Sequence, residues 1–236
     1  MTIKKLLRTS IVIGALPLIL SNCGTIPVKQ YYVLNYLPSG TRDRVYPQPY
    51  PYTIRLKDFE IEEAYNRPQI VYRQSPFELR YYFYRVWAVK PTRMITDLVH
   101  KHLISSNITS NVIRRFDEGM RPDYELSGSI EAIEEYDSKE LWFAHLAIRM
   151  NLTRISDGVS VYFRRFDIRK RVFEHEPEYV IREMSSLIEF ITNQAIHDID
   201  VKLAKEYGVT PVSNQILPLD TTMTGIDTTR ILEVPK

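Results

Sequence analysis

Tyr124-Glu-Leu-Ser-Gly-Ser-Ile-Glu-Ala132, Trp142-Phe-Ala-His-Leu-Ala-Ile-Arg-Met-Asn-Leu152 and Val159-Ser-Val-Tyr-Phe163, which runs on to Val172, are three successive stretches in which apolar and polar residues alternate. Successive side chains of a strand point to opposite faces, so a period of two predicts strands with one face toward a core. Asp157-Gly158 between the second and third stretches predicts a type I′ turn. The three segments therefore read as consecutive antiparallel strands.

Working outward, the periodicity changes from two to helical. After Val172, Pro177 opens a long helix in which Val180, Met184, Leu187, Ile188, Ile191, Ala195, Ile199 and Leu203 share a face, and Gly208 ends it. Before Tyr124, Pro91 opens a shorter helix with Met94, Ile95, Leu98, Val99 and Leu103 on its apolar stripe, stopping near Asn107. Val112 and Ile113 suggest a short strand between that helix and the three-strand unit. Further upstream, Leu79, Tyr81, Phe83, Arg85, Trp87 and Val89 alternate with Arg80, Tyr82, Tyr84, Val86, Ala88 and Lys90, and Ile70 to Arg73 is a short strand paired with them through a hairpin around Gln74 to Glu78. Tyr52 to Ile61 and Tyr31 to Leu37 complete the strand-like segments. The fold class expected is α/β of the mixed α+β kind: a single β-sheet with antiparallel hairpins and two amphipathic helices packed on one face of it.

The amino terminus is of a different nature. Lys4, Lys5 and Arg8 precede the apolar run Ile11 to Leu20, whose ten residues at 1.5 Å each cover about half of a ~30 Å hydrocarbon core. This reads as a signal-peptide core, not a span. Leu20-Ser21-Asn22-Cys23 stands where cleavage belongs and resembles the bacterial lipobox, with Asn22 where that pattern prefers Gly, Ala or Ser. Cys23 would then become the first mature residue and the site of lipid attachment, and Gly24 after it would direct an enteric-type lipoprotein to the outer membrane. The organisation expected is a lipoprotein signal peptide over 1–22, a lipidated tether over 23–30, one folded domain over 31–208, and a flexible or partner-binding tail over 209–236, where Pro211, Pro218 and Pro235 interrupt any periodicity. Seven extended residues between anchor and first strand reach at most ~25 Å, which keeps the body close to its bilayer.

Composition excludes several classes of function. The formal net charge is +2, and loss of Lys4, Lys5 and Arg8 with the leader brings it to −1, so nucleic acid is not an expected partner. The eight glycines build neither GxGxxG nor GxxxxGK[ST], and the lone cysteine allows no internal disulfide and no cysteine-rich zinc site. His100 and His102 stand two apart on a helix and point to different faces, and His145, His175 and His197 have no evident partner. No cofactor and no metal is expected. The acidic run Glu131, Glu134, Glu135, Asp137 and Glu140 could supply paired carboxylates for glycan hydrolysis, or be a solvated strand edge. The basic run Arg164, Arg165, Arg169, Lys170 and Arg171 could face that acidic run from an adjacent strand. Of the sixteen tyrosines, eleven lie between Tyr31 and Tyr84, as filling of a strand surface or as a protein or lipid contact.

Ile70-Val-Tyr-Arg73, Tyr84-Arg-Val-Trp-Ala88 running into Pro91, Met94 and Leu98, and Tyr124-Glu-Leu-Ser-Gly-Ser-Ile130 resemble the ABC-type transport auxiliary lipoprotein family over roughly residues 31 to 203. The most specific stretch is Arg85-x-Trp-Ala-x-x-Pro91. The resemblance implies a non-catalytic accessory part of a system that moves lipid or other hydrophobic cargo between membranes, with an MCE-domain protein or an ABC permease as partner. It also suggests a homo-oligomer. Read physically, Trp87 and Pro91 form a packing corner between strand and helix, while Arg73 and Arg85 pair with acidic neighbours or meet lipid headgroups. Two other readings stand beside this one: an envelope hydrolase using Glu131 and Glu135, and a structural outer-membrane assembly lipoprotein.

Overall fold

The structure, a computed structural model, describes residues 27–38, 48–115, 120–137, 141–174 and 176–212. In chain order the elements are β1 (Gln30–Tyr32), β2 (Tyr50–Leu56), β3 (Glu60–Ile61), a 3₁₀ turn (Glu63–Tyr65), β4 (Gln69–Ser75), β5 (Glu78–Trp87), α1 (Pro91–Ser106), β6 (Thr109–Ile113), β7 (Tyr124–Asp137), β8 (Trp142–Arg154), β9 (Ser160–Val172) and α2 (Pro177–Tyr207). Cys23, His175, Glu140 and the tail from position 213 onward lie outside the described residues.

β7, β8 and β9 form the antiparallel unit that their alternation predicts, with Tyr124 opposite Arg154, Asp137 opposite Trp142 and Trp142 opposite Val172. The connection between β8 and β9 differs from the expected type I′ turn, which needs positive φ at both central residues. Only Gly158 takes positive φ, at 72°. The loop is longer, closed by hydrogen bonds from the Arg154 N–H to the Val159 carbonyl and from the Gly158 N–H to the Arg154 carbonyl.

The other edge of β7 is built from parallel pairings that no local pattern announces. β2, β3 and β4 share that edge in turn, beside residues 124–126, 129–130 and 134–136. β6 adds to β2 in parallel, β5 to β4 in antiparallel, and β1 to β5 in parallel, completing a nine-stranded mixed sheet. The segment expected as one strand from Tyr52 to Ile61 is divided because Phe59 leaves the sheet. Its ring fills the space over Gly128, where an added Cβ would lie 2.4 Å from Phe59 Cε2. The first strand is also shorter than Tyr31 to Leu37, since pairing stops where β5 ends at Trp87. Beyond it Leu34 is buried, and the Asn35 N–H donates to Ser185 Oγ of α2.

Both helices begin at proline, whose missing N–H has no partner in a first turn anyway. Both end in a left-handed cap, at Asn107 (φ 54°) and Gly208 (φ 74°). Every residue of the two predicted apolar stripes is buried, in one core with the inner-face side chains of β7 to β9. A bulge between Ile130 and Ala132 then reverses the parity of β7. Up to Ile130 the even positions face the helices; beyond the bulge Ile133 stands opposite Leu146 and Glu135 opposite Ala144, so the odd positions do.

Candidate functional site

Glu134 and Glu135 are neighbours on the central strand and so lie on opposite faces, the bulge deciding which face each takes, and the polar clusters that surround them are the candidate site. On the face away from the helices, Glu134 is buried among three donors. Tyr65 donates its hydroxyl to Oε2 at 2.6 Å, Arg73 Nε reaches Oε1 at 2.9 Å, and His145 Nδ1 lies 3.0 Å from Oε1. His145 Nε2 is 2.8 Å from Asp167 Oδ1 on β9, and Arg165 Nη2 is 2.9 Å from Asp167 Oδ2. Arg165 also holds Glu131 at 2.5 Å.

Carboxylates only accept, so a histidine with one at each ring nitrogen donates from both and is the imidazolium. Burial opposes that charge, but Asp167 and Glu134 outweigh it and raise the His145 pKa above its ordinary value. Burial likewise pushes Glu134 up, and the bonds from His145, Tyr65 and Arg73 overcome it and hold the carboxyl below the usual range. The His145 bond, with help from Arg165, draws Asp167 down to about 2.

On the helix-bearing face Glu135 has a different fate. Burial dominates and raises it to about 7, against the Tyr82 hydroxyl donating at 2.8 Å and the nearby Arg85, with Asp137 adding to the rise. The Arg85 guanidinium lies over the Tyr82 ring, 4.4 Å from its centroid. The folded pKa exceeds the ordinary 4.5, so between those values the folded chain holds more protons than the unfolded one, and stability falls as pH rises from about 4.5 to 7. Glu135→Gln is expected to abolish that slope and gain about 2 kcal/mol over the parent at pH 8. Urea unfolding at pH 5 and pH 8 measures both; an unchanged slope would mean Glu135 stays ionised. His145 adds a decline of the same sign, present in both proteins, as pH rises through its own raised pKa.

The residues singled out from the sequence are thus distributed. Arg73 joins the Glu134 cluster, Arg85 the Glu135 cluster, Trp87 is buried in the core, and Pro91 is buried at the first position of α1. The acidic run is not a solvated edge, because β7 is central and Glu134 and Glu135 are buried. Nor do Glu131 and Glu135 flank a common space: Glu131 faces Arg165 and Glu135 faces Tyr82, across the sheet from each other. The basic run is two strands from the acidic one, with β8 between them. Arg165 reaches across to Glu131, while Lys170 and Arg164 turn to Glu183 and Asp198 of α2. His102 is buried in α1, 3.1 Å from the Tyr36 hydroxyl and lowered by burial to about 4. Among the described residues no cluster of three or more His, Cys, Asp or Glu side chains could hold a metal ion. Tyr65, His145, Asp167 and Tyr82 are the members that sequence reasoning misses. Equal spacing about the β7–β8 connection places Glu134 opposite His145 and was a usable signal for the second.

These buried charges, engaged by one another, lie in a mixed sheet that carries two helices. The chain belongs to the family described as the ABC-type transport auxiliary lipoprotein component, whose model matches residues 32–195. Among solved structures, a Xanthomonas campestris protein is 20% identical with a TM-score of 0.60, covering 76% of this chain and 98% of its own. An uncharacterized protein at 10% identity has a TM-score of 0.59, covering 73% and 99%. A lipoprotein from Neisseria meningitidis is 10% identical with a TM-score of 0.33, covering 61% and 99%. No curated protein sequence matches.

Proposed function

We propose that this chain is a lipid-anchored, non-catalytic accessory component of an envelope ABC/MCE-type transport system that moves lipid or other hydrophobic cargo between membranes. The family match across residues 32–195 carries the reading. Two features support it. Glu131, Glu134 and Asp167 are held by cations of the same sheet face, and Glu131 and Glu135 lie on opposite faces, where they cannot act on one bond as an acid and base pair. Among the described residues no helix is long and apolar enough to cross a membrane, and the Leu20–Cys23 stretch offers an acyl anchor, on the periplasmic side of the outer membrane. The working part is then a surface that docks on an MCE-domain protein or an ABC permease.

Cells producing Cys23→Ala are expected to shift the protein from the membrane pellet to the soluble fraction by more than tenfold, since two or more acyl chains are needed for stable attachment. The acylated chain extracted in mild detergent should bring the MCE-domain protein or permease with it. Recovery of the acylated chain alone under conditions that keep such complexes intact would overturn the transport reading, and an unmodified Cys23 in native membranes would overturn the anchor.

A further inference from the structure

The edge of the sheet formed by β1 and β5 carries several exposed apolar side chains. Phe77 at the tip of the β4–β5 hairpin is 98% exposed, Val28 81%, Phe83 72% and Tyr31 68%, with Tyr81 and Tyr84 beside them. Their exposure is built in by the backbone. Gln69 pairs with Val86 and Val71 with Tyr81, so two steps along β4 match five along β5. The three extra residues bulge from the ladder and turn Phe83 and Tyr84 outward, their rings edge to face at 4.9 Å. Elsewhere the described tyrosines of the Tyr31 to Tyr84 region are buried or half-buried, so this patch is what remains of that aromatic cluster for a partner.

The register of β1 says which partner. β1 runs parallel to β5, with Gln30 beside Arg85, Tyr31 beside Val86 and Tyr32 beside Trp87. The parallel sense of β1 means that the chain enters Gln30 from the side of the β4–β5 hairpin tip. The seven residue steps from Gln30 to Cys23 reach at most ~25 Å. The chain from Arg85 back to Phe77 at the hairpin tip covers at most about the same length at ~3.3 Å per residue, and less where β5 bulges. The lipid of Cys23 is thus held within a distance of Gln30 comparable to that of the hairpin tip. Exposed aromatic side chains at such a position suit the headgroup boundary, where apolar rings and polar hydroxyls are both accommodated.

We propose that this β1–β5 edge is a membrane-docking surface, on which Phe77, Phe83 and the neighbouring aromatic residues enter the phospholipid interface and fix the orientation of the body on its bilayer. The proposal rests on the anchoring reading for the direction of the tether. It leaves the opposite edge, β9, facing away from the lipid.

The test uses the acylated full chain carrying Phe77→Trp or, separately, Phe163→Trp on exposed β9, reconstituted in phosphatidylethanolamine and phosphatidylglycerol vesicles with brominated acyl chains. The native Trp87 and Trp142 are buried and supply the background. The indole at position 77 is expected to lose at least half of its emission relative to unbrominated vesicles, and the indole at position 163 to be unaffected. An acylated, vesicle-bound chain with no quenching at position 77 overturns the proposal. So does emission at position 77 that shifts with protein concentration in lipid-free solution and ignores bromine, which would give the patch to a second copy of the chain. A second measurement is independent of the anchor. The described fold begins at Pro27, so the chain from Gly24 onward keeps all of it. That chain is expected to float with the same vesicles, and Phe77→Asp with Phe83→Asp to reduce its flotation at least fivefold. If Cys23 proves unmodified while flotation still depends on Phe77 and Phe83, the anchoring reading falls and the docking surface stands.

Discussion

Trp87→Ala is expected to lower the unfolding free energy by about 3–5 kcal/mol, the usual loss when a buried aromatic side chain is cut back to a methyl group. Trp87 sits at the corner where β5 ends and α1 begins. Its backbone N–H donates to the Pro68 carbonyl at 2.7 Å, it stands beside Tyr32 of β1, and its side chain is buried in the common core. The cavity would open in the common core, whose other side chains are held by their own strands and helices, so the site cannot readily collapse around it. A domain of this kind holds about 5–15 kcal/mol in all, so this single change uses up a large share of its stability. Trp87→Phe keeps most of the volume and is expected to cost about half as much or less. Urea unfolding midpoints with unchanged slopes measure both. A loss below 1 kcal/mol accompanied by failure to co-purify a partner would make Trp87 a binding residue instead of a packing one.

Arg73→Ala should be comparably damaging for an electrostatic reason, at about 3 kcal/mol near neutral pH. Removing one member of a buried ion pair leaves the other charged and undercompensated. Glu134 would keep Tyr65 and His145 but lose its guanidinium, which makes two contacts with it at 2.9 and 3.1 Å. The pH dependence separates this cause from lost packing. The folded pKa of Glu134 is depressed, so its contribution is present above the ordinary value of 4.5 and is lost as pH falls through the folded pKa. The gap between parent and Arg73→Ala should therefore be widest near pH 7 and narrow in acid, where the carboxyl is protonated in both. A gap that stays constant with pH would assign the whole effect to the aliphatic part of the side chain.

The polar clusters show how far a sequence can be read. Glu134 and Glu135 are neighbours with the same side chain, yet one is held below the usual carboxylate range and the other raised to about 7. Their difference comes from the bulge at Ile130 to Ala132, which decides which of them faces Arg73 and His145 and which faces Tyr82. Alternation over Tyr124 to Ala132 carries no sign of the slip that falls at its end. Tyr65 reaches Glu134 from a 3₁₀ turn sixty-nine positions upstream, a meeting brought about by the parallel placement of β3 and β4 along β7.

The residue pattern alone determined the local elements: the three-strand unit from Tyr124 to Val172, the β4–β5 hairpin, and the two helices with their proline starts, buried stripes and caps at Asn107 and Gly208. Each follows from interactions within a strand, a helix or a tight turn, where spacing in sequence is spacing in space. It also pointed to the family, through the resemblance carried by stretches such as Arg85 to Pro91. Only the tertiary structure decided the parallel edge of β7, the division of the strand at Phe59 and the outward bulge at Phe83. Those depend on which segments, far apart in the chain, happen to compete for the same backbone donors and the same volume, and the pairing energy involved does not register in the periodicity of any one of them.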